Sequence, residues 1–413
     1  MAEYKGIEYL KNKLNIKRSR VLMRYKYYEL KNQIRDLNIS MIPPNMRWIK
    51  PVLGWCSKAV DSVADRLAFS GFGENDGFSL NEIFRLNNPD ILTDAAILGS
   101  LISSCNFIYI SQDEDGFPRL QNISGSEATG IIDPITNMLT EGYAVLERDE
   151  YKKPTLEAYF IPGRTDIYIN GKLNDSYDNS APYALLVPII YRPDAVRPFG
   201  HSRITRACIE YTQQAARTLR RSEVAAEFYS YPQKYVLGLA DDAEKMEAWR
   251  ATMSALLDFR RDADGNVPQV GQFQAASMAP FLDQLKSIAS MFAGETGLTL
   301  EDLGFSTGNP PSYDAIRASH ENLRLTARKA QRTFGSGFVN VGFLAACLRD
   351  GYSYSRSAFV DIKPEWQPIF EPDASALGAL GDAIYKINEA VPGFIGKKTM
   401  RQLTGLEGDD EQG

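Results

Sequence analysis

Apolar residues recur at roughly helical spacing between residues 3 and 38: Ile7, Leu10, Leu14, Val21, Met23, Tyr27, Leu30 and Ile34, with lysines and arginines between them. That period puts them on one face and predicts a helix, broken at Ile42-Pro43-Pro44 because proline cannot continue one. A second helix is predicted around Trp48 to Leu67, with Val52, Trp55, Cys56, Ala59, Val60 and Val63 on one face and the glycine-rich SGFGENDG at its end. Two more are predicted over Leu80–Asn88 and Ile91–Ser103. From Phe107 to Tyr191 the texture changes to short alternating runs: FIYISQD, GIIDP, GYAVLERD, TLEAYFIP, TDIYING and LLVPIIY. The turn signals EDG, DPITN, KKP and NGK separate them. This pattern predicts a meandering antiparallel sheet or a small barrel.

Helix returns at Ser202 in ITRACIEYTQQAARTLRRSEVAAEFYS, ending at Pro232. A compact module follows: strand-like QKYVLGL, a helix DDAEKMEAWRATMSALLDF, and a turn RDADGN. Another helix is predicted from Phe281 to Ala293, then the loop GLTLEDLGFSTGNPPS. The longest helix follows Pro310-Pro311, with Ser312 as N-cap and Asp314 in the first turn, where the helix dipole favours an anion. It runs to Phe334, or to Leu348 through a kink at Gly-Ser-Gly, a span of roughly 30–55 Å. FVDIKPEWQPIFEPD reads as extended, and ASALGALGDAIYKINEAV as a last helix before the acidic end GLEGDDEQG.

The 413 residues suffice for a sizeable core and two or three domains. With 44% hydrophobic and 24% charged residues, disorder is excluded for most of the chain. No apolar run approaches the roughly 20 residues that span a bilayer, and the start lacks a signal-peptide apolar region. Cys56, Cys105, Cys208 and Cys347 match no zinc spacing and read as small buried hydrophobes. The first 50 residues carry 12 Lys or Arg against 4 Asp or Glu, a surplus of 8 that leaves −14 on the remainder of a chain whose net charge is −6. A basic start on an acidic body reads either as a nucleic-acid or membrane contact or as a helix with a solvated cationic face.

Chemistry for catalysis is not visible. The histidines are His201 and His320, and no HExxH, GxSxG, paired Cys–His or phosphate-loop pattern occurs. The Asp-Glu-Asp between Gln112 and Gly116 lacks EF-hand spacing and reads as a solvated hairpin turn. The reading is therefore of a non-enzyme with no cofactor and no metal.

The order of these elements resembles the portal proteins of long-tailed bacteriophages. Two segments carry the likeness locally: RPFGHSRITRACIEYTQQAARTLRRSEVAAEFYSYPQKYVLG (Arg197 to Gly238) and GLTLEDLGFSTGNPPSYDAIRASHENLRLTARKAQRTFG (Gly297 to Gly335). They cover about a fifth of the chain, whereas the order of elements matches over nearly all of it. The resemblance implies an α+β portal-type fold. Its mixed α/β wing would hold residues 1–202, with an extended segment at 351–372. Two stem helices at 203–230 and 279–296 would flank a small α/β clip at 231–278. A tunnel loop would follow at 297–311, a long tunnel helix at 312–350, and a short helical crown with its acidic tail at 373–413. Portal crowns are often longer than this one.

The resemblance also implies a homododecameric ring in the virion, at one capsid vertex, made in the host bacterial cytoplasm. Double-stranded DNA would be packaged and ejected through it. The partners would be the terminase large subunit, then the head–tail adaptor, with the major capsid protein and a scaffolding protein alongside, and no membrane. In the first stem helix Ala207, Ala215, Ala216, Ser222, Ala225 and Ala226 are small enough for close packing between subunits. Arg217, Arg220 and Arg221 alternate with Glu223 and Glu227, offering ion pairs across subunits or within the helix, each worth about 0–1 kcal/mol when exposed. Arg317, Arg324, Arg328 and Arg332, with Glu321 among them, form a stripe that is a subunit interface, a solvated face or a DNA contact. In the tunnel loop Gly297, Gly304 and Gly308 would be hinges, Leu300, Leu303 and Phe305 apolar tips, and Glu301 and Asp302 acidic positions facing the channel or capping a helix. A conduit needs weak contact, because tight phosphate binding would stall DNA. The alternatives are another head–tail connector or capsid structural protein, a nucleic-acid-binding protein using the basic first helix, and an enzyme with a dispersed site.

Overall fold

The computed structural model of this mixed α/β protein describes residues 4–37, 42–73, 77–230, 234–237, 269–272, 277–305, 318–370 and 374–404. Its centre is the β-rich block, which forms two sheets and no barrel. Strands β2 (Cys105–Gln112), β3 (Pro118–Ile123) and β9 (Leu186–Ile190) pair in the order β3-β2-β9. Strands β4 (Ala128–Ile132), β5 (Leu139–Arg148), β6 (Pro154–Ile161), β7 (Arg164–Ile169) and β8 (Lys172–Asp178) form a five-stranded antiparallel meander. The expected meander is thus present, but β9 returns to pair with β2, Cys105 opposite Ile190, instead of closing on its neighbour. The sheets stack face to face. The Tyr109 and Phe160 rings lie 5.1 Å apart, and a Cβ on Gly142 would fall 3.0 Å from Leu186. Alternation along β5 then sends Gly142 and Ala144 inward and Glu141, Tyr143 and Val145 to the outer face.

The other face of the three-stranded sheet carries helices α4 (Pro89–Ser103) and α7 (Glu321–Arg349). Helix α7 runs without a break through Gly335-Ser336-Gly337, the longer of the two expected extents. Its glycines are close-approach sites. A Cβ on Gly335 would fall 2.5 Å from Pro364, on Gly337 2.9 Å from Ile189, and on Gly342 2.6 Å from Leu80. Strand β1 (Phe69–Phe72) pairs antiparallel with β12 (Pro364–Trp366), and Phe69, Phe338 and Trp366 meet in one aromatic cluster. The extended segment near the end of the chain is thereby folded back onto its beginning.

Helix α1 (Ile7–Tyr28) stops well short of residue 38. Leu30 takes φ +60°, and the chain then runs extended beside α5 (Arg206–Ser230). Buried Gln213 of α5 accepts the Arg35 N–H at 2.7 Å and donates to the Gln33 carbonyl at 2.9 Å and the Tyr27 hydroxyl at 2.7 Å. These tertiary hydrogen bonds replace the helical ones that periodicity implied. Helix α2 (Trp55–Ala64) also starts later than expected, because Pro51 and Gly54 precede it. Helix α3 covers Leu80–Arg85.

Helix α6 occupies Ala279–Thr296 and runs antiparallel to α5. Thr205, just before α5, donates to Glu295 near the end of α6 at 2.8 Å, and Thr218 bonds Gln284 at 3.3 Å. Beyond Ser230, β10 (Lys234–Leu237) pairs antiparallel with β11 (Gln269–Gln272). The expected helix at 241–259, the turn at 261–266, and Ser312 and Asp314 lie outside the described residues. Helix α8 (Ala374–Ala390) fits the expected last helix, and a short α9 (Lys397–Thr404) follows it unforeseen. All four cysteines are free and buried, and burial pushes the Cys56 and Cys105 thiols up to about 12. Among the described residues no helix is long and apolar enough to cross a membrane.

Candidate functional site

The antiparallel pair α5–α6 and the loop after α6 hold most of the residues singled out from the sequence. Ala215 and Ala216 are 0% and 2% exposed in a single copy. Within that copy their small size serves the close packing of α5. Ala207, Ser222, Ala225 and Ala226 are half-buried and still present surface. Arg217 bonds Glu210 at 3.4 Å and the Arg35 carbonyl at 3.3 Å, and buried Arg220 pairs with Asp36. Both arginines therefore hold the extended segment 31–37 of the same chain, whereas Arg221, Glu223 and Glu227 are exposed.

The loop begins at Gly297, which caps α6 at φ +69°, and makes one tight turn over Glu301–Leu303 before Gly304 at φ +90°. Left-handed backbone of this kind suits glycine. Asp302 accepts the Thr299 N–H and hydroxyl, each at 2.9 Å. Leu303 is buried, and Leu300 and Phe305 are half-buried against the main core. Burying Leu303 removes apolar surface from water, Leu300 and Phe305 keep part of theirs, and Glu301 is the exposed side chain of the turn. Gly308 lies outside the described residues.

Sequence reading missed two groups that position this loop. Buried Arg203 donates to the Ala59 carbonyl at 2.7 Å and to the Thr296 carbonyl at 2.6 Å, pinning the end of α6 to α2. His320, before α7, sits with its buried Nδ1 3.8 Å from Asp302. Neither carries a local signal, because each acts through partners distant in sequence. On α7, Arg324 pairs with Glu321 at 2.6 Å, leaving Arg328 and Arg332 exposed; Arg317 lies outside the described residues.

The basic beginning of the chain is largely answered within the chain. Glu141 and Glu157, 2% and 4% exposed, lie under α1 on the outer face of the five-stranded sheet. Glu141 accepts the N–H groups of Lys5 and Gly6 at 2.8 and 2.9 Å and the Tyr159 hydroxyl at 2.9 Å. Glu157 pairs with Lys11 at 3.3 Å and accepts the Tyr143 hydroxyl. Arg18 and Arg148 share Glu127 at 3.0 and 2.5 Å. Lys17 lies over the Phe107 and Phe199 rings at 5.0 and 5.7 Å, and burial brings its pKa down to about 8. Sequence reading gave no sign of Glu141 and Glu157, which alternate with apolar residues along ordinary strands.

A second acidic group lines a cleft beside Tyr28: Asp61, Asp65 and Asp94. Burial pushes the Asp61 and Asp94 carboxyls up, and Tyr28 donates to Asp61 at 2.9 Å. Among the described residues no group of His, Cys, Asp and Glu is arranged to hold a metal ion. Asp113, in the suspected hairpin, accepts the Phe117 N–H at 2.7 Å and pairs with Arg119 at 2.8 Å, as a turn does.

No family model matches the chain. It is 24% identical over 397 residues to the portal protein of Mycobacterium phage L5, covering 91% of this chain and 80% of that one. It is 25% identical over 401 residues to the portal protein of Mycobacterium phage D29, covering 92% and 81%. Among solved structures it is similar to a chain in the neck of a native gene transfer agent particle, with 16% identity, a TM-score of 0.46, and 86% of this chain and 90% of that one covered. A chain in the neck of the empty particle is similar at 15% identity and a TM-score of 0.47, with the same coverage. Along nine-tenths of its length, this chain is similar to the portal proteins of two mycobacteriophages.

Proposed function

We propose that the chain is one subunit of a portal ring at a capsid vertex, the connector through which double-stranded DNA enters and leaves a virion. The observation that carries this reading is the likeness to two phage portal proteins over 91% and 92% of the chain. The geometry accords with it. The α5–α6 pair, ending in the β10–β11 ribbon, would be the stem at 203–230 and 279–296 carrying the clip at 231–278. The 29-residue α7, about 43 Å long, would be the tunnel helix, and α8 with α9 a short crown. The body built from residues 1–202, α7 and the segment 351–372 would be the wing. The clip would dock the terminase large subunit during packaging and the head–tail adaptor afterwards, with capsid and scaffolding proteins around the wing. The role is structural, and no cofactor is needed for it.

Imaging the purified full chain by negative stain tests this. The expected result is a turbine-shaped ring of twelve copies with a central hole. A protein that stays monomeric at micromolar concentration overturns the assembly, and a ring that binds neither terminase nor adaptor overturns the docking role.

A further inference from the structure

The five-stranded sheet has two edges of opposite chemistry. At the β4 edge, α1 runs alongside, with Lys13 donating to the Gly130 carbonyl at 2.7 Å. Lys17, Arg20 and Arg24 follow at helical spacing on one face of α1. The loop at 192–200 lies against that face, since Lys13 and Lys17 both sit over the Phe199 ring, at 5.1 and 5.7 Å. It brings Arg197 close enough to act electrostatically on Arg24, as Arg20 also does. The nearby carboxylates are occupied: Glu127 holds Arg18 and Arg148, and Asp194 holds His201 at 2.6 Å and the N–H groups of Val196 and Arg197. Beside these cations Ile16 is 71% and Val196 88% exposed. The surface is both cationic and apolar, which fits a protein segment better than a bare phosphate backbone.

At the other edge, every residue of β8 is exposed, and among the described residues β8 pairs on one side alone, with β7. Leu173 and Tyr177 are 52% and 58% exposed, and Asp175 and Asp178 stand with them; Lys172 begins the strand. Asp175 accepts from its neighbour Asn174, and Arg164, near Asp178, is bonded to Asp166. The register Gly130, Gly142, Phe160, Thr165, Tyr177 crosses the whole sheet. The two edges are therefore four strand spacings apart, about 19 Å, and face opposite ways. A contact between two different patches on opposite sides repeats head to tail and closes a ring when the rotation allows.

We infer that the acidic, apolar β8 edge of one copy docks on the basic surface formed by α1 and the 192–200 loop of the next copy. The occupant is a second copy because the chain carries both halves of a complementary pair, each left uncovered by the described residues. Opposite charge sets the register and the pairing order, and the exposed Ile16, Val196, Leu173 and Tyr177 supply the apolar area.

The inference rests on the ring assembly proposed above, and charge reversal in the full chain separates the two. Arg20→Glu with Arg197→Glu, and separately Asp175→Lys with Asp178→Lys, should each lower the ring fraction in sedimentation velocity by about tenfold. All four positions are exposed, so circular dichroism of the variants should match the wild type. The protein carrying all four changes should recover most of the rings. Rings in the wild type with both reversals assembling equally well overturn the inference and leave the ring reading standing. Loss in both reversals without recovery in the combination also overturns it. Duplex DNA binding that Arg20→Glu with Arg197→Glu abolishes while rings persist makes the basic surface a nucleic-acid surface and overturns it too. A wild type that forms no ring overturns the assembly, and the inference with it.

Discussion

The carboxylate of Glu141 accepts the backbone N–H of Gly6 at 2.9 Å, capping α1 from a strand more than a hundred residues away. Gly6 has no side chain to cap with, and Lys5 N–H bonds the same carboxylate. A helix N-terminus leaves its first N–H groups without partners, and here a buried anion supplies them while the dipole favours its charge. Glu141→Ala should lower unfolding free energy by about 1.5–3 kcal/mol, the range for hydrogen bonds to a charged group. Urea denaturation would measure it, with faster amide exchange in the first turn of α1. A loss below about 0.5 kcal/mol would mean that packing of Leu10 and Leu14, not the cap, holds the helix.

Lys17 gives a pH dependence whose sign can be worked out. Burial lowers its folded pKa to about 8 from an ordinary value of 10.5. The folded state thus binds this proton less tightly than the unfolded state, so Lys17 weakens the fold most below about 8. The penalty fades as pH rises from about 8 towards 10.5. Lys17→Met should be more stable than wild type at pH 7, and the gap should narrow across that window. Thermal melts at several pH values would show it, and a gap that stays constant would remove Lys17 as the cause.

The glycines of α7 should behave unlike an exposed helical glycine. A Cβ at Gly335 would meet Pro364 at 2.5 Å, whereas at Gly294 in α6 nothing lies within 4 Å. Gly335→Ala should cost about 1–3 kcal/mol through overpacking, against the helix propensity it gains. Gly294→Ala should be neutral or stabilise by up to about 1 kcal/mol. Equal effects of the two in chemical denaturation would mean that α7 shifts freely to admit the methyl.

The loop after α6 should divide into a buried and an exposed half. Leu303→Ala should destabilise by about 2–4 kcal/mol, because Leu303 belongs to the main core. Glu301→Ala should leave stability within about 0.5 kcal/mol, and any effect should fall on DNA packaging or retention. A Leu303→Ala protein that melts like the wild type while capsids lose their genome would restore Leu303 to the role of a channel tip.

For Ala215 the single chain is the object to measure. Ala215→Leu should destabilise the monomer by about 1–3 kcal/mol, since its site is filled before any partner arrives. A monomer of unchanged stability that fails to form rings would return Ala215 to the subunit interface.

Much of the architecture was readable from local pattern. Helical spacing of Leu10, Leu14 and Val21, and the alternation from Phe107 to Tyr191, depend on which side of an element meets the core, and burial imposes that period residue by residue. The same logic placed α6 within three residues of its observed ends and buried all four cysteines. Tertiary structure alone decided the rest. Residues 31–37 leave the helical path because Gln213, nearly two hundred residues away, offers their backbone better partners. Gly335 and Gly337 mark close contacts, because Pro364 and Ile189 press on them. Glu141 and Glu157 became the seat of α1, and Leu303 of the loop joined the main core. In each case the deciding energy lies between groups far apart along the chain, and a local pattern records that a residue is buried or polar without recording what it will meet.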